Sequence, residues 1–429
     1  MLKQLLNNWA IVTIFLLEIV LFAINFRPGT YLIGWDAVVP ELNFTQNFQR
    51  NLFSVWQEYR GLGLLDGMSY AANLPHTAFL WILHFVLPVS ILRYFFFFLM
   101  HVTGGLGMNF LLKKKLIKNS HSVVPFSGAL FYLFNLATIQ MFYTPLEAFA
   151  VHFAFLPWLV FSLISYLRSG MRRDLLFFAL FSFLSLPQAF VPQLFAVYIL
   201  LAFLVAIFNT RNVKKLILVG LVIFAINAFW ALPYAYSVFT NSQTILEAKI
   251  NQMSSVDIFA KNQDRGDFLD VISLRGFMLD VIEYDGSGQN LPIMKAWVDY
   301  TSSIGFWVIS IGFFLIAIVG LISTVRNRKK ALYSFCATFV IAFLVLGNNI
   351  PVIKQINDLI REGLPMVGEA FRFSFTKFST LFALCYAIFF AFGVAIISGK
   401  LKAIVLRTTF YILLMTSIFL YSLPAFGGH

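Results

Sequence analysis

Charged side chains are scarce in this sequence. They make up 12% of its 429 residues, where a soluble domain carries about 25%. Roughly half the usual polar coat is missing, which excludes an ordinary water-soluble globule. Cysteine is nearly absent too: Cys336 and Cys385 both sit in apolar stretches, so no disulfide framework is implied and the redox compartment is unreadable. There is no Gly-rich phosphate loop, no Cys/His metal cluster and no Gly-x-Ser-x-Gly elbow. The six histidines (His76, His84, His101, His121, His152 and His429) show no metal-ligand spacing. For His84, His101 and His152 the plain reading is a hydrogen-bonded helix residue.

What is present is apolar. Hydrophobic residues reach 60%, with 52 phenylalanines, and mean hydropathy is +0.82. Apolar runs near the ~20 residues that cross a hydrocarbon core occupy 9–26, 91–112, 123–136, 147–167, 175–186, 193–208 and 216–236. After a long polar stretch come 304–325, 331–346, 375–397 and 404–423. The expectation is an all-α polytopic membrane protein of about eleven transmembrane helices in one domain over 1–429. Several runs are short or broken by proline, which is tolerated only where protein or a cavity covers the backbone. The first run has no small-residue cleavage site after it and reads as an uncleaved anchor.

Charge orients these helices. With Lys3 on the cytoplasmic side, the inner turns hold Lys113, Lys114, Lys115 and Lys118; Arg168, Arg172 and Arg173; Arg211, Lys214 and Lys215. They continue with Arg326, Arg328, Lys329 and Lys330, then Lys400, Lys402 and Arg407. Asp174 is the single acid among them, so every inner turn obeys the positive-inside rule. The net charge of +12 is therefore a topology signal, and nucleic acid is not an expected partner. The long connections, about 27–90, 237–303 and 347–374, all fall outside, which puts the working surface there.

Asp36, in Gly34-Trp35-Asp36 just beyond the first helix, is the leading catalytic candidate. A carboxylate beside an indole at the membrane boundary is partly desolvated and suited to accept a proton from a sugar hydroxyl; the alternative is a loop cap facing water. Leu52, Val55, Trp56 and Tyr59 share one helical face, with Glu58 and Arg60 off it, so 51–63 reads as an amphipathic helix on the outer leaflet. Trp56 and Tyr59 then either stack on a sugar or anchor the interface. Glu147 opens the fourth helix, where the dipole alone accounts for an acid. Glu18 lies mid-helix, an intramembrane acid that either serves function or pairs with Arg or Ser/Thr neighbours across the bundle. Arg372 and Lys377 enter the tenth helix from outside and suit a lipid phosphate or diphosphate, as does Arg93 at the outer start of the second; snorkelling is the alternative for all three.

Short motifs run through most of the chain: Trp35-Asp36, 56–63, Ser69-Tyr70-Ala71-Ala72-Asn73-Leu74-Pro75, Ile91-Leu92-Arg93-Tyr94, Gly104-Gly105, 111–116, Pro157-Trp158, Phe371-Arg372 and Lys377-Phe378. Together they resemble the GT-C superfamily of membrane glycosyltransferases, and more closely the arabinofuranosyltransferase D family of actinobacterial envelope synthesis. The resemblance implies Asp36 as general base, Arg372 and Lys377 at the donor phosphate, and Glu147 as a second acid near the acceptor; Arg93, by its position, is placed with the phosphate-binding pair. Trp35, Trp56, Glu58 and Tyr59 would then line the substrate.

The expected activity is inverting transfer of a sugar from a polyprenyl-phosphate donor to an envelope glycan or glycolipid acceptor at the outer face of a prokaryotic plasma membrane. No cofactor is required by this chemistry. A divalent cation is compatible with the acids of the fourth loop (Asp264, Asp267, Asp270 and Asp280), whose spacing matches no metal loop. The alternative is a lipid-linked oligosaccharide flippase or other polytopic transporter, and a third option is a noncatalytic membrane scaffold. The C-terminus is expected outside, and the chain is compatible with being the amino-terminal part of a longer protein with a further extracytoplasmic domain.

Overall fold

The computed structural model describes residues 9–34, 39–53, 56–57, 64–65, 69–118, 120–246, 264–284, 288–327 and 330–428. Seven helices among them are long and apolar enough to cross a membrane. They are α4 (Val89–Leu111, continued by one wider turn to Leu116), α7 (Glu147–Ser169), α9 (Pro192–Asn209) and α10 (Val213–Leu246, apolar to Asn241), then α13 (Ile304–Arg326), α17 (Ser374–Lys400) and α18 (Ile404–Tyr421). Two bent pairs raise the count to nine: α5 (Val123–Phe134) with α6 (Leu136–Tyr143), bent by 42°, and α14 (Tyr333–Leu346, entered from Lys330) with α15 (Pro351–Gly363), bent by 86°. The chain is thus an all-α polytopic membrane protein.

Two of the eleven expected crossings fall outside this set of nine. α1 (Trp9–Asn25) has 17 residues and α8 (Arg172–Leu184) has 13, so α8 covers about 20 Å of a ~30 Å core. A 3₁₀ turn, Leu186–Phe190, extends α8.

The first loop holds short elements: α2 (Phe44–Phe53), a two-residue antiparallel ladder of β1 (Trp56–Gln57) on β2 (Leu64–Leu65), a 3₁₀ turn at Ser69–Asn73, and α3 (Leu74–Leu83). The amphipathic helix expected over 51–63 is therefore corrected: the helix ends at Phe53 and a hairpin follows. The remainder of the stretch, 54–55 and 58–63, lies outside the described residues. Beyond the bundle lie α11 (Phe268–Ser273), the hairpin β3 (Ile282–Tyr284) with β4 (Asn290–Pro292), α12 (Lys295–Thr301) and α16 (Pro365–Ala370).

Breaks in the bundle are covered as a bilayer requires. Pro157 inside α7 has no N–H for the carbonyl of Phe153, and the Tyr132 hydroxyl donates to that oxygen at 2.9 Å. At the α5–α6 bend, Asn135 donates to the carbonyls of Phe131 and Tyr132 and accepts from the Thr138 N–H. Polar side chains thus satisfy the groups the bend releases. Small residues set the tightest crossing: a methyl on Gly320 would fall 1.9 Å from the Phe389 oxygen, and one on Gly393 would fall 1.9 Å from the Ile316 oxygen. α13 and α17 therefore meet backbone to backbone.

The turns sort to two ends. Trp9 bonds Ser122 and His121 stacks on Tyr411. Arg168 bonds the Lys115 carbonyl, Lys215 bonds that of Leu167, and Phe208 meets Tyr333. These contacts gather the basic turns. At the other end Asn25 bonds Ala425, Gln140 bonds Leu274, Tyr421 bonds Ser273, and Asn349 bonds Gly266.

Candidate functional site

Arg93 is the fifth residue of α4, at the loop-rich end, and is 1% exposed. Pro88 starts that helix, and the side chain reaches back among three segments. Nη1 donates to the Leu32 carbonyl at 3.0 Å and lies 2.8 Å from Glu41 Oε1. Nη2 donates to the Pro145 carbonyl at 3.1 Å and to Glu147 Oε1 at 2.5 Å. The guanidinium fork thus joins the first loop, the α6–α7 turn and the start of α7. Glu41 in turn accepts the Gly34 N–H on both carboxylate oxygens, at 2.9 and 2.8 Å.

Two carboxylates share one guanidinium, so the ionised cluster carries one surplus negative charge. The Glu41 and Glu147 side chains are only 8% and 13% exposed. Burial pushes the Glu41 carboxyl up, against the pull of Arg93, and the charge of Glu147 adds to the rise. His76 of α3 is buried against Phe96, with ring centroids 4.7 Å apart, within reach of the Arg93 charge. Burial, with the Arg93 charge as a second cause, lowers its imidazole to about 3. His76 Nδ1 donates to Asn73 Oδ1 at 3.1 Å, leaving Nε2 as a bare acceptor without a partner among the described residues.

Of the residues singled out in sequence, the structure brings Arg93 and Glu147 into contact. Lys377, in the first turn of α17, lies over the Phe149 ring at 5.2 Å, half a turn beyond Glu147 on α7. Arg372 packs over the adjacent Phe373 ring at 5.3 Å. Trp56 belongs to β1, and its side chain lies outside the description, as do Trp35, Asp36, Glu58 and Tyr59 altogether. Gly34 and Glu41, which lie on either side of Asp36 in the chain, are the two that the carboxylate clasp joins.

A second polar cluster ties the later loops over α17. Arg265 grips Asp280 with Nε at 2.6 Å and Nη2 at 2.5 Å, and Asp270 at 3.3 Å. Those acids raise the Arg265 guanidinium, while burial raises the Asp270 carboxyl. Asp267 caps α11 through the Asp270 N–H. Asn348 donates to Ser374, the first residue of α17, at 2.8 Å. Arg275 lies over the Trp307 ring, and the space enclosed here, about 20 Å³, holds no more than a water. Among the described residues no three His, Cys, Asp or Glu side chains gather as a metal site.

Two features of the site were not legible in sequence. One is Glu41, whose only signal was a second acid five residues after Asp36. The other lies deeper: Glu18 of α1 meets His101 of α4, Oε1 to Nδ1 at 2.8 Å, while His101 Nε2 bonds the Leu133 carbonyl at 3.1 Å. Glu18 does pair across the bundle, with a histidine in place of the Arg, Ser or Thr expected. A carbonyl only accepts, so Nε2 carries a proton, and one further proton lies on either Nδ1 or Glu18.

No protein-family model matches the chain, and no curated protein is similar to it.

Proposed function

We propose that the protein transfers a sugar from a polyprenyl-phosphate donor to a glycan or glycolipid acceptor at the outer face of a prokaryotic plasma membrane. Asp36 takes the proton of the acceptor hydroxyl as its oxygen attacks the anomeric carbon. The bond from that carbon to the phosphate oxygen breaks, and polyprenyl phosphate leaves with the electron pair. Arg372 and Lys377 offset the charge that grows on it. Arg93 has a different part from the one its sequence position suggested: with two carboxylates on its fork, it positions the first loop against α7 instead of meeting phosphate.

The observation that carries this reading is the Arg93–Glu41–Glu147 cluster, because it ties both chain flanks of Asp36 to the helix start that Lys377 packs against. A base and a cationic clamp must share one site, and the cluster is a device for that. In this reading α1 and the α8 segment also cross, giving eleven passes with the N-terminus in the cytoplasm. α1 runs from the Trp9–Ser122 contact at the basic end to the Asn25–Ala425 contact at the other. The segment from Arg172 ends in a 3₁₀ turn whose Phe190 meets Tyr70 of the first loop.

A second reading, a transporter, is favoured by the buried Glu18–His101 pair, since intramembrane acids mark substrate or proton paths. Proteoliposomes loaded with a labelled polyprenyl-phosphate sugar separate the two. Transfer releases polyprenyl phosphate and forms a new glycoside; transport moves the intact donor between leaflets and releases none.

A further inference from the structure

At the basic end, Trp9 of α1, the start of α5 and α18 line an open groove of about 520 Å³. Its head is polar: His121, Arg407 and Trp9. Trp9 Nε1 donates to Ser122 at 3.0 Å, and His121 stacks on Tyr411 with centroids 5.6 Å apart. Its length is apolar, running along Ile412 to Phe419. From Arg407 to Phe419 the helix rises about 18 Å, close to the ~15 Å of one hydrocarbon leaflet. Ile404 and Ile412 are 68% and 61% exposed, so the apolar wall has no protein covering it among the described residues.

Charge selects the occupant. Arg407 is half-buried and forms no ion pair with a carboxylate among the described residues. Residues 1–8, which lead into Trp9, contain no Asp or Glu and one cation, Lys3. The acid of the neighbouring turns, Asp174, accepts from Ser169. Lys400 ends α17 and Lys402 lies in the connection that leads into α18, a few residues before Arg407. An anion is wanting at the head, and an acyl chain fits the wall. We infer that the groove binds an anionic diacyl phospholipid, its phosphate on the forked donors of Arg407 and one acyl chain along Ile412 to Phe419. This site lies at the opposite end from Arg93 and does not depend on the glycosyl-transfer reading.

The test uses the full chain in detergent, with phosphatidylglycerol or phosphatidylcholine added and retained lipid counted by native mass spectrometry. The wild-type protein is expected to retain phosphatidylglycerol in preference. Arg407→Gln should lower that retention about fivefold, the effect of one cation near a membrane surface, with phosphatidylcholine unchanged. Ile412→Trp, which fills the wall, should lower retention of both, and thermal melts confirm that each variant is folded. Deleting residues 2–8 should leave retention unchanged. Equal retention of the two lipids by the wild-type protein, or undiminished phosphatidylglycerol on both folded variants, overturns the site. A severalfold rise on deletion would give the groove to the chain's own amino-terminal segment, and overturns it equally.

Discussion

Arg93 and Glu147, 54 positions apart in the chain, meet at 2.5 Å at the loop-rich end of the bundle, with Glu41 on the other arm of the same guanidinium. Each partner is nearly out of water, so the guanidinium is what both carboxylates depend on. Removing one partner of a buried pair leaves an uncompensated charge, which costs about 3–5 kcal/mol. Arg93→Gln strands two carboxylates and is expected to lower the melting temperature sharply in detergent. Adding Glu147→Gln to it should recover part of that loss. Equal melting temperatures for the wild-type protein and Arg93→Gln would contradict the reading.

His76 makes the same region sensitive to acid. Its folded imidazole is lowered to about 3 from 6.5, so between those values the unfolded chain binds a proton that the folded chain refuses. Stability is then fully present above about pH 6.5 and falls as pH drops, by ~1.4 kcal/mol per unit. Thermal melts from pH 7 to 5 should show a steeper decline for the wild-type protein than for His76→Gln, by about 2 kcal/mol at pH 5. Parallel declines would remove His76 from the account.

The Glu18–His101 contact separates hydrogen bonding from charge. Glu18→Gln can donate its amide to His101 Nδ1 and should melt within a few degrees of wild type. Glu18→Leu leaves that nitrogen buried and unpartnered, at a cost of about 1–3 kcal/mol. Similar melting temperatures for the two variants would mean that the bond contributes nothing.

Gly320 and Gly393 test the crossing of α13 and α17. An added methyl at either position meets backbone oxygen at 1.9 Å, and backbone cannot rotate away as a side chain can. Gly320→Ala and Gly393→Ala should each cost about 1–3 kcal/mol by overpacking. Gly312→Ala, on the same helix with open space at its Cβ, should be neutral in the same melts.

Sequence made the long apolar helices and the gathering of basic turns legible, because a bilayer imposes length and the turns carry their charge locally. It was less exact about where elements begin and end, since neighbours set those limits. The run at 175–186 reads as one apolar crossing, and the structure divides that stretch into a helix to Leu184 and a 3₁₀ turn, where Gln188 accepts from His152 of α7. Trp56 fits a helical face by spacing, yet pairs with Leu65 across a hairpin. The site was half legible. Arg93 and Glu147 stood out as ionisable groups at helix starts, but contact over 54 positions leaves no local pattern, and neither does that of Glu18 with His101 over 83.

The account turns on Asp36. Asp36→Asn keeps the shape of the side chain and removes the base, so the purified variant should fold with an unchanged melting temperature. Release of polyprenyl phosphate from a labelled polyprenyl-phosphate sugar, in the presence of acceptor, should fall by about 10²–10⁴-fold. Turnover equal to that of the wild-type protein, from a folded Asp36→Asn preparation, would contradict glycosyl transfer at this aspartate.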